Sequence, residues 1–340
     1  MRSPRGREKE VMHSSEPSVP AGLEDLLDLS VRLGSDLRLV QGAGGNLSIK
    51  TDGVLWIKAS GTRLSQARTR DIFVPMDEAA TREAVLVTEA LTPYVLPSAQ
   101  AGGLRPSIET ALHVLLPHTV VVHVHGVGSI AAGLTDGVEE SVRTLPADVD
   151  TVVVPYAKPG VELARAVLAR TPADLTGDRP LVLVLRNHGV VVGAADSATA
   201  AEVLDRVEAH FRSASAPPAD VSTDSGPLSP PGTVDATAAA VLCAGALTPD
   251  SAVFLGPAPF GRIDGGPPAA DDGSPHSGFV ADDGSVWLRP GLGPDEREVA
   301  ASLVDAARQT DGGDVSTLST AQVDELVTWE AEKWRQQLKR

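Results

Sequence analysis

Two histidines one residue apart, His123-Val124-His125, close a β-branched run that begins at Thr119. On a strand, residues i and i+2 point to the same face, so both imidazoles reach one side of a sheet. That disposition suits two cis ligands of a metal ion. On its own the pair is also read as two polar residues at a strand end, each satisfied by water. A second polar cluster, Arg186-Asn187-His188-Gly189, interrupts two apolar runs, Leu181–Leu185 and Val190–Val192. Such a cluster is costly inside a sheet unless its groups are paired. His188 therefore sits either at a strand-end turn, which Asn, His and Gly all tolerate, or against a ligand.

Glu109, in Arg105-Pro106-Ser107-Ile108-Glu109-Thr110, falls at the start of a predicted helix, where a carboxylate favours the helix dipole. His113 lies at i+4 and shares its face. Upstream, Gly42-Ala43-Gly44-Gly45-Asn46 fails as a dinucleotide fingerprint, because the third glycine of the G-x-G-x-x-G frame would be Leu47. It also lacks the Gly-Lys-Ser/Thr of a P-loop. A glycine cluster still suits a nest of backbone N–H groups that binds an anion, and Lys58-Ala59-Ser60-Gly61-Thr62 offers a second such place with a cation beside it. In isolation both stretches are turns.

The elements that must hold these residues follow from periodicity. Leu23, Leu26, Leu27 and Val31 have helical spacing, with Gly34 as a C-cap. Asp52-Gly53 between two β-prone runs predicts a hairpin over Leu47–Ile57. Helices are predicted over Met76–Leu91 and from Ser107 onward, with Ile108, Leu112, Leu115 and Leu116 on one face. The runs Thr119–Val124, Thr151–Val154 and Leu181–Leu185 read as buried strands. Pro159–Ala169 and Ser197–Phe211 read as helices. This alternation over residues 21–216 predicts a three-layer α/β/α domain. Residues 1–20 read as a flexible tail and 217–234, rich in Pro, Ser, Asp and Gly, as a linker. Residues 235–340 read as a smaller α+β extension. It contains a helix near Ala236–Ala246, a short strand at Val253–Leu255, a Gly/Pro/Asp loop from Gly256 to Gly278 and a hairpin at Asp283-Gly284. Helices at Pro294–Gln309 and Thr320–Leu338 complete it.

Composition narrows the function. With 29 basic against 45 acidic residues among 340, the net charge is −16, which argues against nucleic acid or anionic membrane as the main partner. A small anionic substrate needs only a local positive pocket. A single cysteine, Cys243, fits a reducing compartment. The longest apolar run, Ala238–Leu247, is far short of the ~20 residues that span a bilayer. No secretory h-region follows Arg2, Arg5 and Arg7. A cytoplasmic protein is expected.

Taken in order, GAGGN, WIKASG, RPSIET, HVH and RNHG over about residues 22–215 resemble the class II aldolase/adducin family, in the branch with the Arg-Pro-Ser-Ile-Glu-Thr signature. The resemblance implies that His123, His125 and His188 ligate a divalent metal, usually zinc, with Fe²⁺, Mn²⁺ or Co²⁺ as alternatives. It makes Glu109 the catalytic acid/base, and it puts Asn46, Ser60, Gly61 and Ser107 at a substrate phosphate. It implies a lyase that cleaves or forms a carbon–carbon bond in a hydroxy-ketone or sugar phosphate through a metal-stabilised enediolate. A homo-oligomer is implied too, commonly a tetramer with the site at a subunit interface. The sequence departs from the family twice. Ser107 is followed by Ile108 instead of a second serine, with Arg105 and Lys58 available to compensate. The two tyrosines, Tyr94 and Tyr156, are not C-terminal, so a proton donor is sought in the Gly/Pro loop of the same or a neighbouring chain, at Asp264, His276 and Asp271-Asp272. The alternative functions are a non-haem iron oxygenase or decarboxylase acting on an unphosphorylated acid, and an adducin-like interaction module without metal.

Overall fold

The computed structural model describes residues 21–88, 90–97, 102–212, 234–264, 273–310 and 314–329. The expected tail, nearly all of the expected linker, the centre of the Gly/Pro loop with Asp271 and Asp272, and residues 330–338 of the expected last helix lie outside the described residues; that helix itself ends earlier than expected, at Thr328, with Trp329 already extended.

A seven-stranded sheet is the frame of the site. Its strands are β1 (Asn46–Thr51), β2 (Val54–Lys58), β3 (Phe73–Asp77), β4 (Val120–Val124), β5 (Asp150–Val154), β6 (Leu181–Leu185) and β7 (Gly189–Ala194), in the order β3-β2-β1-β4-β7-β6-β5. All neighbours are antiparallel except β5 and β6. Asp52 and Gly53 both take positive φ, 51° and 75°, the pair of values that a tight hairpin turn between β1 and β2 demands.

Strand alternation sorts the core into two layers. Val120, Val122 and Val124 of β4 pack with α1 (Leu23–Gly34) and α7 (Ser197–Phe211) on one face. Val121 packs on the other with Leu112 of α3 (Thr110–Leu115) and Leu163 of α6 (Val161–Leu168). The expected three-layer α/β/α architecture is present. His123 shares its face with Val121, so it projects toward α3.

Two expected elements are different. Met76 does not start a helix: Val74 and Met76 alternate inward along β3, opposite Ile57 and Leu55. The helix, α2 (Glu78–Ala84), starts only where the Asp77 carboxylate accepts from the Ala80 N–H, and it stops well before Leu91. Val253–Leu255 is no strand. Thr248 and Ser251 form a reciprocal capping box with Pro249 in the first turn, and this start signal draws the β-prone residues into a helix. Three further segments carried no clear period and form α4 (Val127–Gly133), α5 (Val138–Arg143) and β8 (Phe260–Ile263).

The C-terminal unit comprises α8 (Ala236–Leu242), α9 (Pro249–Leu255), β8, β9 (Gly278–Ala281), β10 (Val286–Leu288), α10 (Pro294–Arg308) and α11 (Thr320–Thr328). The hairpin at Asp283-Gly284 joins β9 to β10, as expected. The core of this unit is continuous with Val127, Ile130, Ala131 and Leu134 of α4, so it docks beside the helix that follows the histidine strand.

Candidate metal centre

Antiparallel register brings the site together. Asn46 opens β1 directly opposite His123 on β4, and Val190 and Val191 of β7 flank β4 on its other side. β4 ends at Val124, so His125 lies just past the strand, and His188 sits in the turn that joins β6 to β7. That turn is reached through Asn187 in the left-handed region, φ 57°. The three imidazoles converge, with ring centroids 5.0, 4.8 and 5.1 Å apart. One nitrogen from each lies within 4.8 Å of the others. Glu109 arrives from the opposite layer at the N-cap of α3, with Oε2 3.4 Å from Nε2 of His123 and Oε1 3.8 Å from Nε2 of His188.

All four side chains are buried. Burial pushes the His188 imidazole down to about 3, against the opposing pull of Glu109, and lowers His123 in the same way. Both rings are neutral at ordinary pH, the form in which imidazole ligates a metal. Burial alone would raise the Glu109 carboxyl, but the neighbouring His123 and His188 and the hydrogen bond from Asn46 outweigh it and hold it below the usual carboxylate range. His123 donates from Nδ1 to the Val190 carbonyl at 3.0 Å, leaving Nε2 unprotonated. That Nε2, Oε1 of Glu109 and Nδ1 of His188 have no hydrogen-bond partner among the described residues. Buried polar atoms are normally satisfied. Three converging imidazoles beside an ionised carboxylate fit a divalent ion with a position open to substrate.

The other expected residues surround this centre in different ways. Asn46, Lys58, Ser60, Gly61 and Ser107 line one cleft with Glu109, His125 and His188. Asn46 spends an N–H on Oε2 of Glu109 (2.8 Å), and Lys58 donates to the Ala43 carbonyl (2.9 Å). Arg105 is exposed and borders an adjoining cavity of about 300 Å³, shared with Ser60, Ser107, Ile108 and Trp329. The glycine loop is not an empty anion nest at its first residue, because the Gly42 N–H is bonded to the Glu298 carboxylate at 2.6 Å. Of the proton donors sought in the C-terminal loop, His276 hydrogen-bonds Ala258 and lines neither cavity, and Asp264 lines neither. Asp250 lines the cleft instead, with Oδ2 3.0 Å from Nδ1 of His125. The Thr248–Ser251 capping pattern could have placed Asp250 in a first helical turn, but no local signal says which surface that turn meets.

Residues 24–214 match the family described as Class II Aldolase and Adducin N-terminal domain. An uncharacterized oxidoreductase, YuxG, of Bacillus subtilis is 27% identical over 202 residues, which are 53% of this chain but only 28% of that protein. Methylthioribulose-1-phosphate dehydratase of Granulibacter bethesdensis is 29% identical over 189 residues, covering 50% of this chain and 79% of that one. Among solved structures, the N-terminal class II aldolase domain of a conserved Thermoplasma acidophilum protein is 25% identical. It covers 58% of this chain and 96% of that domain, with a TM-score of 0.47.

Proposed function

The chain belongs to the class II aldolase and adducin family through residues 24–214, and we propose that it is a metal-dependent lyase acting on a hydroxy-ketone or sugar phosphate, making or breaking a carbon–carbon bond. The observation that carries this reading is the convergence of His123, His125 and His188 beside a buried, ionised Glu109. The all-nitrogen donor set favours zinc. When bound, the ion supplies Lewis-acid polarisation of a substrate carbonyl.

The chain's own residues do the rest. Glu109, with Oε2 held by Asn46 and Oε1 unengaged, moves the proton at the carbanion carbon. Lys58, Ser60, Gly61, Ser107 and Arg105 border the space where a phosphate enters. The backbone there is held in place by Ser60 N–H to Arg105 O (2.8 Å) and Ser107 N–H to Lys58 O (3.0 Å). Burial of Glu109 and the three histidines shields the exchanging carboxylate from bulk water.

A second reading is elimination of water from the same kind of substrate. Neither tyrosine lines the metal cleft or the adjoining cavity, so no phenol stands ready to protonate a departing alkoxide. A dehydratase is also among the relatives. We further propose a homo-oligomer, a tetramer by family resemblance, in which a neighbouring chain supplies the missing acid.

Metal analysis of the purified chain, followed by incubation with phosphorylated and unphosphorylated hydroxy-ketones with and without oxygen, tests these readings. Two carbonyl fragments mark the lyase, and loss of water marks the eliminase. Product only under oxygen from an unphosphorylated acid marks an iron oxygenase. A chain without stoichiometric metal is a binding module. Sedimentation velocity decides the assembly.

A further inference from the structure

The C-terminal unit touches the segments that hold the metal centre at three points, and none of its residues lies within the matched family region. Asn187, one residue before His188, donates from Nδ2 to the carbonyls of Leu247 (3.0 Å) and Ser316 (2.8 Å). Glu298 of α10 accepts from the Gly42 N–H and is paired with Arg63 at 3.0 Å. Asp250, in the first turn of α9, brings Oδ2 to 3.0 Å from Nδ1 of His125. The glycine loop, the end of β4 and the β6–β7 turn are each tied to this unit.

Resting on the metal-centre reading above, we propose that Asp250 is a positioning residue: from an approach of 3.0 Å its Oδ2 takes the Nδ1 proton of His125 as the ring turns Nε2 to a bound ion, which makes the C-terminal unit part of the centre. An imidazole ligand carries one N–H and one lone pair, so a carboxylate oxygen facing Nδ1 favours the tautomer with the proton there and a free Nε2. His123 is already set in this tautomer by its hydrogen bond to the Val190 carbonyl. Asp250 and His125 are both buried, and Asp250 stands outside the set of atoms that converge on the centre. Gly44 covers the pair. A Cβ there would come within 2.8 Å of the Gln41 carbonyl oxygen, 3.1 Å of Nδ1 of His125 and 3.3 Å of Oδ2 of Asp250. Outer partners of this kind raise the basicity of a ligand and fix its ring, and their removal typically costs ~10–100-fold in metal affinity.

The test uses the full chain with Asp250→Ala and Asp250→Asn. Zinc affinity is measured by competition with a chromophoric chelator, and the cobalt-substituted proteins are compared by visible absorption. Asp250→Ala is expected to bind zinc ~10–100-fold more weakly, with an altered cobalt spectrum. Asp250→Asn, whose amide oxygen still accepts, is expected to recover most of the affinity and the spectrum. Thermal melting of the metal-free variants separates a folding defect from a ligand defect, and Asp250→Asn carries the test if the alanine variant is unfolded. Wild-type affinity and spectrum in Asp250→Ala overturn this inference alone. Equal losses in both variants also overturn it, since they make the charge, and not the acceptor, essential. A wild-type chain that binds no zinc overturns the metal reading and this inference together.

Discussion

Asn46 and Glu109 are joined by one hydrogen bond, Nδ2 to Oε2 at 2.8 Å, and it sets the direction in which the carboxylate faces. The amide is itself held, because its Oδ1 accepts from Nε2 of His113, whose Nδ1 accepts from Oγ of Ser48 at 2.8 Å. An amide oxygen cannot donate, so His113 must carry its proton on Nε2 and receive one from Ser48. The direction of every bond from Ser48 to Glu109 is thereby fixed.

Breaking this chain at Asn46 should cost turnover more than folding. A hydrogen bond to a charged group is worth ~1.5–3 kcal/mol, or about 10–100-fold in rate if it is needed to aim the base. Asn46→Ala is expected to lower kcat by that factor with zinc content unchanged, and His113→Ala to produce a smaller loss in the same direction. Equal kcat in Asn46→Ala and wild type would leave Asn46 as a phosphate ligand only, visible as a raised KM for phosphorylated substrates.

Glu109→Gln keeps the shape and the bond to Asn46 but cannot exchange a proton. It is expected to fold, to hold most of its zinc and to lose ~10²–10⁴-fold in turnover, the usual contribution of a positioned acid/base group. Circular dichroism, metal analysis and steady-state kinetics check the three parts. Full activity would reduce Glu109 to the N-cap of α3.

The local chemistry of this site is visible in the sequence because β4 has a strict period. His123 and His125 share a face wherever that run forms a strand, and Gly189 and Asn187 mark the turn that carries His188. What the sequence hides is non-local. Nothing near Asn46 says that β1 will pair with β4 so as to set it opposite His123, with Glu109 within reach. Residues 42–45 read as a free nest because Glu298, 256 residues downstream, leaves no local trace of its bond to Gly42. Asp250 is hidden in the same way. Met76 misled by fitting two periods at once, and the Asp77 cap decided between them.

Acid should destabilise the metal-free protein well above the carboxylate range. Burial pushes His113 and His188 down to about 3, whereas in the unfolded chain both return toward 6.5. Between those values the unfolded state binds protons that the folded state does not, so stability is intact above ~6.5 and falls as pH drops. Each histidine contributes up to ~1.4 kcal/mol per pH unit. Glu109, held to about 2 against 4.5 when unfolded, adds a loss of the same sign at lower pH. Urea midpoints measured from pH 7.5 to 4.5 should fall steadily, and His113→Gln should flatten the slope. A flat wild-type profile would mean that these rings are hydrated and protonate in the folded state.

Gly189 is required by a close approach. It opens β7 next to His188, and a Cβ there would run into the Val124 carbonyl oxygen and come within 3.1 Å of Cα of His125. These are backbone atoms at the end of β4, which carries His123 and leads directly into His125, so relief requires β7 to move away from β4 and takes His188 with it. Gly189→Ala is expected to lose ~1–3 kcal/mol of stability, the range for a forced insertion into a packed site, and to bind zinc more weakly as the triad opens. Gly53→Ala is the comparison. Its positive φ of 75° strains any side chain, but a Cβ there meets nothing within 4 Å. That variant should lose stability while keeping zinc affinity. Melting temperatures and zinc affinities of the two proteins separate the outcomes: parallel losses of affinity would mean that the triad follows overall stability, and a loss confined to Gly189→Ala places the requirement at the contact between β7 and β4.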